Sequence, residues 1–102
     1  MFFVTGQIGA NDDGTFPDAF EAQLQNIFMH LDRILKEAKA DWNNVVQLRT
    51  FHTGDLKAQF PKIMELKDKY MPEHQHVWTA IGVTQLIFKP RKTEIDMIAL
   101  IK

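Results

Sequence analysis

The spacing of apolar positions shifts between two periods along this chain, and each shift marks a new element. Phe2 to Gln7 is short, apolar and aromatic and reads as a strand, ended by Gly6, Gly9 and the turn cluster Asn11-Asp12-Asp13-Gly14. Phe20, Leu24, Ile27, Phe28, Leu31, Ile34, Leu35 and Ala38 then fall at steps of three and four, which predicts an amphipathic helix. Pro17 and Asp18 open it, with Asp18 and Glu21 as a capping pair. Val45 to His52 alternates and is β-branched, so it fits a strand, and Gly54-Asp55 punctuates it. A second helix is read from Leu56 to about Tyr70, with Phe60, Ile63, Met64, Leu66 and Lys67 around its inner face and Pro72 stopping it. Pro61 interrupts that pattern and places the start near Ala58 or Gln59, where the proline would lie in the first turn. Val77 to Leu86 and Thr93 to Ile101 read as the last two strands, joined through Lys89-Pro90-Arg91.

The order strand, helix, strand, helix, strand, strand implies an α+β fold, a two-layer sandwich with both helices on one face of a sheet. Ile95, Met97, Ala99 and Ile101 share a parity and can face the helices, while Ile98 and Leu100 point away; Val77, Thr79, Ile81 and Val83 likewise oppose Trp78, Ala80 and Gly82. Both faces of the sheet therefore carry apolar residues. The face without helices needs a covering surface, and self-association is the simplest supply.

At 102 residues and 45% apolar content the chain amounts to one domain, 1–102, able to bury roughly two thirds of its unfolded surface. A net charge of -1 leaves no excess of cations for a phosphate backbone, so no nucleic acid partner is expected. The absence of cysteine excludes disulfides, a thiol nucleophile and a thiolate metal site. Met1-Phe2-Phe3-Val4 is too short for a signal h-region, and no apolar run approaches the roughly 18 residues of a membrane span. No membrane association is expected, and a cytoplasmic location is the default.

Three stretches carry a family resemblance: Phe3-Val4-Thr5-Gly6-Gln7-Ile8-Gly9, Val77-Trp78-Thr79-Ala80-Ile81-Gly82-Val83-Thr84, and Thr93-Glu94-Ile95-Asp96-Met97-Ile98-Ala99. In order and spacing they resemble the Rid family of reactive-imine deaminases, also called the YjgF, liver perchloric-acid-soluble protein or endoribonuclease L-PSP family. The resemblance implies a chorismate-mutase-like fold with a mixed sheet, and a homotrimer with a small-molecule cleft between each pair of neighbouring subunits. In that family an arginine holds the carboxylate of a small imino acid while water attacks the C=N carbon and ammonia leaves. No cofactor or metal is implied.

Carried over residue by residue, Thr5 stands in the place of the family's serine and Gly6 keeps a close backbone approach. Glu94 matches the acid that positions or activates water. Trp78 takes the arginine's position, Ala80 that of a frequent cysteine and Met64 that of a helix asparagine, a combination that resembles the arginine-lacking, YjgH-like branch. The resemblance thus implies an imine or enamine deaminase that does not depend on a substrate carboxylate, with Glu94 catalytic and Thr5, Gly6, Trp78, Ala80 and Met64 lining the substrate site. A non-catalytic ligand-binding or regulatory trimer is the alternative. Endoribonuclease activity, suggested by one of the family's names, fits the charge balance poorly. Family members also carry a strand and a loop with an aromatic cleft residue ahead of the Thr-Gly-Gln stretch, whereas here Met1 begins almost at Thr5; either the start is late or the first hairpin is absent.

Each of these residues has an alternative structural role. Glu94 could be a solvated carboxylate paired with Lys92 or Arg91, Thr5 a strand threonine satisfied by backbone, and Trp78 simple interface packing. An indole offers a stacking plane and one N–H, which does not replace a bidentate guanidinium. His74 and His76 share a strand face, but no third ligand stands near them, so no metal site is expected. His30 and His52 read as surface or capping histidines, and Arg49 as half of a structural ion pair.

Overall fold

The computed structural model describes residues 1–72, 77–87 and 90–100. Along the chain run β1 (Phe2–Ile8), α1 (Phe20–Glu37), a 3-10 turn over Trp42–Asn44, β2 (Val45–His52), α2 (Leu56–Tyr70), β3 (Val77–Gly82) and β4 (Thr93–Ala99). The four strands form one mixed sheet in the order β1-β4-β2-β3. β4 is antiparallel to both β1 and β2, whereas β3 runs parallel to β2 after the α2 crossover. The last strand in sequence therefore fills the gap between β1 and β2, and β1 and β3 become the two edges.

Both helices cover one face of this sheet. Leu24, Ile27, Phe28, Leu31 and Leu35 of α1 and Ile63 and Leu66 of α2 are buried against Val4, Leu48, Ile95, Met97 and Ala99, so the parity expected for β4 is the one observed. Phe28 stacks on Trp42 at 5.7 Å and on Tyr70 at 5.2 Å, closing the end of the core away from Gly6 and Glu94. The opposite face keeps its apolar residues in the open: Phe3 is 66% exposed and Val77 63%.

Several boundaries differ from the sequence expectation, each for a local reason. The expected capping pair at Asp18 does not form; α1 begins at Phe20 after Ala19, with no side-chain cap. Instead the buried Gln23 amide donates to the Pro17 and Pro90 carbonyls and accepts from Lys92 N–H, which holds the segment before α1 extended against the β3–β4 connection. α2 begins at Leu56 rather than near Ala58 or Gln59, because Asp55 caps it by accepting from the N–H groups of Lys57 and Ala58. Pro61 thus lies inside the helix, which omits the bond from residue 61 to the Lys57 carbonyl. β3 ends at Gly82 rather than Leu86: its neighbour β2 stops at His52, whose carbonyl takes a last bond from Val83 N–H. Ile101 and the His74 and His76 pair lie outside the described residues.

Candidate functional site

β1 is not a regular strand. Val4 pairs with Met97 and Gln7 with Ile95, so three steps on β1 face two on β4, and the extra residue makes a bulge at Thr5 and Gly6. Bulged backbone leaves the ladder and re-aims its side chains, which turns the Thr-Gly pair from strand filler into a local feature of the open face. The Thr5 carbonyl is taken by the Gln7 side-chain amide at 3.1 Å. The Thr5 hydroxyl has no hydrogen-bond partner among the described residues.

Glu94 lies beside this bulge. A Cβ added at Gly6 would stand 2.5 Å from Glu94 Oε2, 2.7 Å from its Cδ and 2.9 Å from its Cγ, so the carboxylate occupies space that only a glycine leaves vacant. Across β4, Phe51 is the register partner of Glu94 on the same open face. Among the described residues Glu94 has no ion-pair partner, neither Lys92 nor Arg91. The next acid along, Asp96, is fully engaged: Arg49 donates through Nε at 2.9 Å and Nη2 at 2.7 Å in a bidentate pair. Arg49 also lies over the Phe51 ring. A concavity of about 480 Å³ runs over Thr5, Gly6, Gln47, Arg49, Asp96 and Ile98.

Trp78, Ala80 and Met64 form a separate group. Trp78 and Ala80 register with Leu48 and Thr50, both fully buried, so they face the helix layer, and Met64 sits half-buried on α2. The indole N–H donates to Thr50 Oγ1 at 3.2 Å and is not free to serve a ligand. Phe60 stacks on the indole at 5.5 Å with an 11° interplanar angle, and Lys67 Nζ stands 5.3 Å from the ring centroid. Glu94 and Trp78 thus lie on opposite faces of one sheet, with β2 between their strands. The structure therefore does not gather Thr5, Gly6 and Glu94 with Trp78, Ala80 and Met64 on one face of the sheet.

His52 is a correction. It is fully buried rather than a surface or capping histidine, because it continues the inward parity of Leu48 and Thr50. Its Nδ1 lies 3.1 Å from Thr93 Oγ1, Nε2 has no hydrogen-bond partner among the described residues, and burial pushes its pKa down to about 4. The alternation of β2 carried that signal. His30 is half-buried, with Nδ1 3.2 Å from the Ile8 carbonyl. The bulge, the Phe51 neighbour of Glu94 and the Thr50 anchor of Trp78 escaped sequence reading, because each depends on strand register. Among the described residues no group of three or more His, Cys, Asp or Glu could hold a metal ion, and no helix is long and apolar enough to cross a membrane.

The model of the family "Endoribonuclease L-PSP" matches residues 1–101. The RutC family protein YjgH of Escherichia coli (strain K12) is 35% identical over 88 residues, covering 84% of this chain, while the chain spans about two thirds (66%) of that protein's length. A solved structure described as protein YJGH superposes with a TM-score of 0.83 at 35% identity, over 95% of this chain and 73% of that one. A Rid-family protein of Yersinia pestis, YyfB, reaches a TM-score of 0.89 at 25% identity, over 98% of this chain and 77% of that one. Sequence and fold converge, and the chain belongs to the endoribonuclease L-PSP family, the YjgF or Rid family.

Proposed function

We propose that this protein hydrolyses the C=N bond of small imines or enamines in a cleft built between neighbouring copies of a homotrimer. The observation that carries the reading is Glu94: a carboxylate with no ion-pair partner among the described residues, seated in the space left by Gly6 and next to Thr5, whose hydroxyl has no partner among them either. There it accepts a proton from water as the oxygen attacks the imine carbon, while the C=N π electrons pass to nitrogen. The same proton then reaches nitrogen, which gives the carbinolamine; Glu94 next carries the hydroxyl proton to nitrogen as well, and as the C=O bond forms the C–N bond breaks with its electron pair going to nitrogen, so that a carbonyl and ammonia result. Placement and proton transfer of this kind are each worth about 10²-fold or more. Thr5 and the bulged backbone of Gly6 line the floor of this half-site, while Trp78, Ala80 and Met64 supply the other wall from the adjacent copy. The opposite edges on which the two halves stand, and the uncovered apolar face, support a head-to-tail ring of copies.

A coupled assay of ammonia release from freshly generated imines tests this reading. Glu94→Gln is expected to lose about 10²-fold or more of the turnover with the fold intact, and equal turnover by that variant removes the role. A second reading is a non-catalytic ligand-binding trimer, favoured by the packing of the Trp78 ring under Phe60 and Lys67 and the use of its N–H by Thr50. No release from several imines, together with a saturable thermal shift by a metabolite, decides for it.

A further inference from the structure

β4 is bordered by a bulge on each of its neighbours. On β1 the extra residue falls at Thr5 and Gly6; on β2 Val45 pairs with Ala99 and Gln47 with Ile98, so Val46 is the extra residue there. Bulges bend a strand and re-aim its side chains, and the concavity of about 480 Å³ on the open face lies over β4 between these two. Its volume falls in the range of about 300–1,000 Å³ that small-molecule sites occupy.

Phe3 and Ile98, register partners on β1 and β4, give this hollow an apolar end. Its only charges, Arg49 and Asp96, close on each other: Nε and Nη2 take both carboxylate oxygens, so the lining is neutral as a whole. Three polar groups of the lining stay unused among the described residues. The Thr5 hydroxyl and the Gln47 side-chain amide have no hydrogen-bond partner there, and Arg49 Nη1 is left out of the bidentate pair. Gln47 is half-buried, where an amide without a partner costs more than it does in open water. The hydroxyl and the amide each donate and accept, while the guanidinium nitrogen donates. A ligand carboxylate would use the donors alone and lie against Asp96; a ligand ammonium would use the acceptors alone and lie against Arg49. A primary carboxamide is neutral and brings both a carbonyl and an N–H₂ group, so it uses donors and acceptors together with no charge to desolvate.

We propose that this concavity is a binding subsite for a primary carboxamide group, read by the Gln47 amide and the Thr5 hydroxyl, with the rest of the ligand against Phe3 and Ile98. It adjoins the Glu94 half-site through Thr5 and Gly6, and it stands on its own lining residues whether or not Glu94 turns over an imine.

The experiment is a titration of the intact protein with butanamide, with 2-pentanone, which replaces the N–H₂ by a methyl group, and with butanoate. ¹H–¹⁵N NMR spectra follow the Thr5 and Gly6 backbone N–H peaks and the Gln47 side-chain N–H₂ peaks. Butanamide is expected to shift all of these saturably and to leave the side-chain peaks of Gln25, exposed on α1, in place, with 2-pentanone and butanoate binding about tenfold more weakly. Gln47→Met, which keeps the length of the side chain and drops the amide, is expected to bring butanamide down to the level of 2-pentanone at the Thr5 and Gly6 peaks. Thr5→Val, which keeps the shape and drops the hydroxyl, is expected to weaken butanamide by a similar factor. No saturable shift by butanamide, equal binding of 2-pentanone or butanoate, or undiminished binding in Gln47→Met overturns the assignment. The readout needs no turnover, so the subsite and the imine hydrolysis proposed above fail separately.

Discussion

Gly6→Ala separates the position of the Glu94 carboxylate from its presence. The new methyl would stand 2.5 Å from Oε2, and ordinary contact begins at 3.4 Å, so the carboxylate must recede by about 0.9 Å. Cδ and Cγ, at 2.7 and 2.9 Å, must follow. What moves is a side chain on the open face of the sheet and not backbone, so the fold tolerates the change at a cost of about 1 kcal/mol or less. Chemistry is less forgiving, since a displacement of about 1 Å at a reacting group costs roughly 10²-fold. The expected outcome is a thermal midpoint within a few degrees of the parent and a turnover lowered about 10²-fold in the ammonia assay. The double variant Gly6→Ala, Glu94→Gln is expected to be no slower than Glu94→Gln alone, because both changes remove one contribution. Undiminished turnover by Gly6→Ala, or fully multiplicative losses in the double variant, refutes the claim that Gly6 acts by seating Glu94.

Two further expectations concern stability. His52 has its pKa lowered from 6.5 to about 4 by burial, so the unfolded chain binds the proton more readily and stability falls as pH drops from 6.5 toward 4. Urea denaturation at one protein concentration should show about 2 kcal/mol less stability at pH 5 than at pH 7, and His52→Gln should flatten that difference; an unchanged slope in the variant assigns it elsewhere. Phe28, fully buried between Trp42 and Tyr70, should cost about 3–5 kcal/mol on replacement by alanine, read as a lower urea midpoint, while exposed Met29 next to it should tolerate alanine within about 0.5 kcal/mol.

The candidate site was only half readable in the linear chain. Thr5, Gly6 and Glu94 could be named from their motifs, and the structure brings them together. The company they keep was not foreseeable. Phe51 meets Glu94, and Arg49 occupies Asp96, only because β4 slots in beside β2 in one register. Trp78 could be seen to differ from arginine, yet that its N–H is used by Thr50 and its ring shared by Phe60 and Lys67 follows from the crossover that lays α2 over β3.

Periodicity decided which elements exist, because burial of one helix stripe and one strand parity is a local pattern repeated along the chain; the α1 stripe and the Ile95-Met97-Ala99 row came from it directly. Composition excluded thiol chemistry for the same reason, since a missing residue type needs no geometry. Strand order, the bulge at Thr5 and Gly6, and the burial of His52 belonged to the tertiary structure alone. These depend on which strands pair and in what register, and pairing energy is earned between residues that lie 41 to 97 positions apart. That non-local pairing puts Glu94 on one face of the sheet and Trp78 on the other, a separation that no local pattern of residues encodes.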